Sequence, residues 1–244
     1  MRNIMIKIEY DGTNYSGWQM QSNAITIQEE IVKAIKKLTN ENTLVNGSGR
    51  TDAKVHAREQ VANFHIKSTI PAKQITRGLN HFLPPDIAII GTEDVEEEFH
   101  ARYWAKGKIY SYHIYNHLQR SALLRNYSYH IPGQLDLKNM GKAAGLLIGT
   151  HDFKGFMNSG SKVKDTIRTI HDIKIRKVEN DLVLTFEGNG FLYNMVRIMV
   201  GTLVEISMGR REIDSLEEIL TMGDRNKAGH TAPPQGLFLD RVIY

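Results

Sequence analysis

Apolar residues along this chain change spacing from every second position to every third or fourth and back again, and that alternation admits few folds. Ile4, Ile6, Ile8 and Tyr10 alternate with Met5, Lys7 and Glu9, the period of a half-buried strand. Asp11-Gly12-Thr13-Asn14 reads as a turn. Thr26 and Glu29 form a capping box, and Ile27, Ile31, Ile35 and Leu38 fall on one helical face. Residues 61–66 read as a strand, Pro71 opens a helix toward Phe82, and Pro84-Pro85 ends it before a short strand over 87–91. The strand over 108–115 puts Tyr110, Tyr112 and Ile114 on one face and Ile109, Ser111, His113 and Tyr115 on the other. Asp136 caps a helix through Leu147. Ile167, Thr169, His171, Ile173 and Ile175 alternate, and Glu179-Asn180-Asp181 turns the chain into 182–187 as a hairpin. An apolar helix follows over 192–208 with one internal cation, Arg197; Asp214 and Glu217 start a last short helix, and 237–243 closes as a strand. Long helices mixed with hairpins predict an α+β fold with helices on one side of largely antiparallel sheets. No fixed-period repeat or low-complexity segment interrupts the pattern.

Composition narrows the function classes. The chain has 244 residues, 41% of them hydrophobic and 24% charged, which suits a soluble globular protein with a sizeable core. The absence of cysteine excludes disulfides, thiolate metal sites and cysteine nucleophiles, and fits a reducing compartment. The first apolar run is broken by Lys7 and Glu9, so it does not read as a signal peptide, and no window reaches the ~20 apolar residues of a membrane helix. The expectation is a cytoplasmic protein.

Charge is uneven along the chain. Residues 1–105 carry 12 Lys and Arg against 13 Asp and Glu, whereas residues 106–244 carry 19 against 14. With the acidic run over 93–98, that switch sets the expected boundary between domains 1–105 and 106–244. Residues 99–135 contain no acid, but hold Arg102, Lys106, Lys108, Arg120 and Arg125 among Tyr103, Trp104, Tyr110, Tyr112, Tyr115, Tyr127 and Tyr129. Such a stripe is either a phosphate-binding, base-stacking surface or a tyrosine-rich strand with a solvated basic edge.

Chemistry concentrates in residues 46–57, Asn-Gly-Ser-Gly-Arg-Thr-Asp-Ala-Lys-Val-His-Ala. Gly47 and Gly49 allow close approach of another molecule, and Arg50 beside Asp52 favours an ionised acid able to act as nucleophile or base. A surface ion pair in a turn is the plainer reading. The loop completes neither GxGxxG nor a phosphate-binding GxxxxGK[ST] pattern; His151-Asp152 stands alone, and no HExxH occurs, so a metal site has little support. Arg197, amid apolar residues, requires a partner if buried: Asp52, a phosphate or another acid.

The loop Gly49-Arg50-Thr51-Asp52-Ala53, with Val55-His56-Ala57 behind it, resembles the signature of the tRNA pseudouridine synthase A family. The resemblance runs along nearly the whole chain. It includes Glu9-Tyr10-Asp11-Gly12-Thr13, Gly17-Trp18-Gln19, Gly78-Leu79-Asn80, Leu83-Pro84, Asp86-Ile87 and Phe99-His100-Ala101-Arg102. It continues through Tyr110-Ser111-Tyr112 and Asn194-Met195-Val196-Arg197 to Gly236-Leu237. It implies two ferredoxin-like (RRM-like) halves with joined sheets, a basic cleft between them, and a homodimer sharing a tRNA. It also implies a uridine substrate at positions 38, 39 and 40 of the anticodon stem-loop, with no metal or organic cofactor.

By the same resemblance Asp52 is the catalytic acid; it adds to the base, attacks the sugar or removes a sugar proton. Arg50 pairs with Asp52 or fills the space left by a flipped nucleotide. Tyr110 is the active-site tyrosine that packs on uracil and helps remove the C5 proton. Arg197 keeps Asp52 ionised, and Leu237 walls the uracil pocket. Arg102, within the basic stripe, is expected at phosphate. The family usually has Gly after Ala53, where this chain has Lys54. A positive φ there would cost a Lys on the order of 1 kcal/mol, and its amine is otherwise suited to a phosphate contact. The rivals are a non-catalytic RNA-binding protein of two such halves, which would not need an acid in the loop, a synthase acting on a different RNA, and a metal hydrolase.

Overall fold

The computed structural model describes residues 1–158, 160 and 163–244. In chain order the elements are β1 (Arg2–Tyr10), α1 (Ile27–Thr39), β2 (Asn46–Gly47), β3 (His56–Ile66), α2 (Ala72–Phe82), β4 (Ile87–Val95), β5 (Gly107–Asn116) and β6 (Tyr129–Ile131). There follow α3 (Leu137–Leu146), β7 (Gly149–Asp152), β8 (Ile167–Val178), β9 (Asp181–Gly188), α4 (Met195–Ser207), α5 (Ser215–Met222) and β10 (Leu237–Ile243). The chain divides into two compact units, residues 1–106 with 238–244, and residues 107–237.

In the first unit the strand order is β4-β1-β3-β10, with the short β2 on β3. β1 runs antiparallel to both β3 and β4, whereas β10 joins β3 in parallel through Phe238 opposite His56. The expected apolar face of β1 is buried, as are Ile27, Ile31 and Ile35 of α1 and Ile75 and Leu79 of α2. Each such side chain contributes roughly 1.5–3 kcal/mol on leaving water. Thr26 caps α1 by accepting the Glu29 N–H at 3.4 Å, and Asn40 closes it in the left-handed region at φ 59°. Pro71 immediately precedes α2.

On the other face of β1, Asn3 and Met5 are covered as well, and buried amides hold the cover in place. Asn3 donates to the carbonyls of Glu96, Glu97 and Phe99 at 2.9–3.2 Å. Asn63 donates to Asn3 Oδ1 at 3.0 Å and accepts the Ala101 N–H at 3.0 Å. Both side chains are almost fully buried, so these bonds replace lost water and fix the segment after β4 that carries Arg102.

In the second unit the order is β5-β9-β8-β7, all antiparallel, with β6 added in parallel to β5. Tyr110, Tyr112 and Ile114 lie opposite Phe186, Leu184 and Leu182 and are buried. The even alternation expected along β8 does not hold. Pairing with β9 shifts register between Ile170 and Asp172. Ile170 and Ile173 are therefore the buried residues, while Ile167 is 56% exposed and His171 lies at the surface. The apolar helix also starts later than its hydropathy suggests, at Met195, because Asn194 sits in the left-handed region at φ 60°. α4 is apolar around nearly its whole circumference, as a buried helix should be.

Candidate active site

The loop that carries Asp52 is set by five neighbours in the first unit. Ser48 N–H donates to the Val61 carbonyl at 2.8 Å, extending the pairing of β2 with β3 by one residue. Ser48 Oγ donates to Gln60 Oε1 at 2.5 Å, and Gln60 Nε2 returns to the Gly49 carbonyl at 3.2 Å. Thr51 Oγ1 meets the Tyr10 hydroxyl at 2.7 Å, and the Thr51 carbonyl accepts the Trp18 N–H at 3.1 Å. The chain then turns, with Val55 N–H donating to the Asp52 carbonyl at 3.2 Å and Lys54 N–H to the Tyr15 carbonyl at 3.2 Å.

Two glycines make this packing possible. A Cβ on Gly12 would lie 2.0 Å from the Val55 carbonyl oxygen, and one on Gly17, at φ 92°, would lie 2.6 Å from that of Thr51. Backbone therefore rests on backbone beneath the acid. The loop itself is legible in the sequence; Tyr10, Gly12, Gly17, Trp18 and Gln60 are what shape it. Of these, Gln60 alone falls outside the segments that carry the family resemblance, and as one of several polar residues in β3 it carries no signal of its own.

Within this loop Asp52 is half-buried, whereas Arg50 and Lys54 are exposed. Lys54 sits at φ 65°, so the position demands the left-handed conformation that a glycine takes without strain. His56, 1% exposed, opens β3 with its Nδ1 3.0 Å from the Gly12 N–H and 3.1 Å from Asp11 Oδ1. Its ring stacks on Phe238 of β10 at 4.6 Å. Arg102 is exposed, with its guanidinium 5.9 Å from the Tyr103 ring centre, and Tyr103 itself is 76% exposed.

The second unit holds Tyr110, Arg197 and Leu237. Tyr110 on β5 is buried against the edge of Phe191, their ring centres 5.1 Å apart. Arg197 on α4 is half-buried and donates to the Ala232 carbonyl at 2.8 Å and to Asn194 Oδ1 at 2.6 Å. The Ala232 N–H donates back to the Arg197 carbonyl at 3.0 Å. Residues 228–236 thus form a strap across α4 that ends at the buried Leu237.

Other ties hold the strap. Gly229 N–H donates to Thr202 Oγ1 at 2.9 Å, and Arg225 donates to the Gly229 carbonyl at 2.9 Å and to Thr231 Oγ1 at 3.0 Å. His230 gives Glu205 Oε1 its backbone N–H at 2.9 Å, with its ring Nδ1 at 2.8 Å. Burial pushes the Glu205 carboxyl upward, but the bonds from His230 and Arg211 outweigh it and hold the group below the usual carboxylate range. The Tyr112 hydroxyl donates to the Pro233 carbonyl at 2.7 Å. Burial pushes that hydroxyl well up, against the opposing charge of Arg197, so it remains a neutral donor at neutral pH.

The basic, aromatic stretch divides by role. Tyr110 and Tyr112 are core residues of β5, while Tyr103, Trp104, Tyr127, Arg102, Lys106, Arg120 and Arg125 are exposed. Among the described residues no three or more His, Asp or Glu are grouped so as to hold a metal ion, and no helix is long and apolar enough to cross a membrane.

The family described as tRNA pseudouridine synthase matches at residues 6–104 and 143–244. A tRNA pseudouridine synthase A from Thermoanaerobacter sp. (strain X514) is 52% identical over 244 residues, covering 100% of both chains. One from Acetivibrio thermocellus is 48% identical, again over 100% of both. The solved structure of a Cbf5-Nop10-Gar1 complex aligns with 97% of this chain and 58% of its own at 12% identity, with a TM-score of 0.42.

Proposed function

The chain belongs to the tRNA pseudouridine synthase family, and from that premise we propose that it isomerises uridine to pseudouridine at positions 38, 39 and 40 of the tRNA anticodon stem-loop. The observation that carries the proposal is Asp52, half-buried in a loop whose backbone is tied on both sides of the acid. The reaction detaches uracil from ribose, rotates it and rejoins it through carbon. It needs an acid at the C6 and C1′ side, removal of the C5 proton, and a closed pocket, but no redox or group-carrying cofactor. Asp52 takes the first role as nucleophile or base. Tyr110 packs on the base and assists at C5, Leu237 walls the pocket, Arg197 is a further residue of the reaction, and Arg50 pairs with Asp52 or fills the space left by the flipped nucleotide. A tRNA substrate implies a cytoplasmic enzyme.

The direct test is carbodiimide labelling and primer extension on an unmodified tRNA transcript with uridines at 38, 39 and 40, incubated with the protein in EDTA. New stops in that window are expected. Their absence, with tRNA still retarded in a gel, would leave a binding protein or a synthase for another RNA.

A homodimer sharing one tRNA forms part of the proposal. Sedimentation equilibrium should return twice the 27.8 kDa chain mass; a monomer across the micromolar range would exclude the dimer.

Lys54 and Arg102 are proposed as phosphate contacts, and Lys54→Gly separates backbone from charge. Relieving φ 65° should stabilise the protein by on the order of 1 kcal/mol, read from urea midpoints. Losing the amine should weaken tRNA binding and lower the slope of log K against log salt by roughly 0.7–0.9, the contribution of one phosphate. Arg102→Ala should lower it by a similar amount with little change in stability. Unchanged slopes in both variants would remove these two residues from the RNA interface.

A further inference from the structure

The geometry points to Tyr10 as a positioning residue for Asp52, acting through Thr51, a role that rests on Asp52 being the reacting acid. Tyr10 ends β1 and is 3% exposed. Pairing between β1 and β3 shifts register between Ile8, opposite Gln60, and Tyr10, opposite Ala57. The extra residue lies on β3, so Tyr10 stays paired at the end of the ladder, opposite the residue that follows the loop and His56. Its hydroxyl meets Thr51 Oγ1 at 2.7 Å, and Thr51 is itself only 7% exposed. Its ring lies 6.3 Å from that of Trp18, whose backbone N–H donates to the Thr51 carbonyl.

Thr51 is thus held at side chain and carbonyl by two different residues, and Asp52 is the next residue along. Burial pushes the Tyr10 hydroxyl upward, past the opposing effect of its Thr51 and Gln60 hydrogen bonds. The group is therefore neutral at every working pH, fixing the loop without adding a charge that would compete with Asp52. Gln60 does the same for the other end, binding Ser48 and Gly49. Neutral dipoles fit this purpose: a buried cation or anion at the same place would shift the titration of the acid it was meant only to aim.

A group that aims the acid should act on the chemical step and leave the grip on tRNA alone. The test measures single-turnover rate, tRNA affinity and thermal melting for the full chain and for Y10F, T51V, T51S and the Y10F/T51V pair. Y10F and T51V should each slow turnover by roughly 10- to 100-fold, the scale of a sub-ångström to 1 Å misplacement, with tRNA affinity within about twofold of wild type. T51S, which keeps the hydroxyl, should turn over near the wild-type rate. The double variant should be no slower than the slower single one, because either change alone already removes the Tyr10–Thr51 bond.

A wild-type rate in Y10F, losses that multiply in the double variant, or a loss confined to tRNA affinity would each overturn the role. Should Y10F fail to fold, T51V against T51S decides, since equal rates in those two exclude the hydroxyl contact. A wild-type chain that makes no pseudouridine would instead bring down the proposed function, and this role with it.

Discussion

Replacing Asp52 with Asn is expected to abolish pseudouridine formation, by at least about 10⁴-fold, while leaving tRNA bound. That figure lies at the upper end of what a general base contributes and within what loss of a nucleophile costs. Asn has nearly the same shape, so what changes is charge and basicity: the amide can neither attack carbon nor take a proton at neutral pH. The loop should survive the change. The Asp52 backbone carbonyl that receives the Val55 N–H is untouched, and the anchors at Ser48, Gly49 and Thr51 come from Tyr10, Trp18, Gln60 and Val61. Affinity for tRNA rests largely on phosphate neutralisation, to which a carboxylate contributes nothing favourable. Primer extension for product and a gel shift for binding, on the same samples, separate the two effects. Residual turnover near the wild-type rate would assign the chemistry to another group.

Much of this molecule is written locally in its sequence. The alternation of Ile4, Ile6 and Ile8, the Thr26 cap and Asp136, which accepts the N–H groups of Lys138 and Asn139, each depend on residues within a few positions of one another. The Gly-Arg-Thr-Asp motif is local as well, which is why the linear sequence is enough to nominate Asp52 as a candidate. What escapes a linear reading depends on long-range pairing. β10 joins β3 as a parallel partner, His56 beside Phe238, although those residues lie far apart in the chain. The bulge in β8 moves burial onto Ile170, because a one-residue slip exchanges the two faces of a strand. The contact of Tyr10 with Thr51 and the lashing of Ala232 to Arg197 are likewise invisible to periodicity, since each joins segments whose own patterns are complete without it.

The strap across α4 is where this non-local order is most exposed to a single methyl group. Gly201 faces the strap so closely that an added Cβ would lie 1.8 Å from the His230 carbonyl oxygen and 2.9 Å from its carbon. The fit is reciprocal, since a Cβ on Gly229 would lie 2.7 Å from the Thr202 Cα. No side chain can rotate aside to relieve it, so Gly201→Ala must lift the strap or displace the helix. Lifting the strap strains the bonds from Gly229 to Thr202, from His230 to Glu205, between Ala232 and Arg197, and from Tyr112 to Pro233. At about 1 kcal/mol net for each bond, with added strain, the expected loss is on the order of 3–5 kcal/mol. For a chain of this size that lowers the melting temperature by about 10 °C or more. Gly141 in α3 supplies the control, because a Cβ there meets nothing within 4 Å. Gly141→Ala should gain roughly 0.5–1 kcal/mol from helix propensity alone. The same chemical change in two helices of one unit should therefore carry opposite signs. Equal melting of the two variants would mean that the strap does not rest on Gly201, and that Arg197 and Leu237 are held by something other than this crossing.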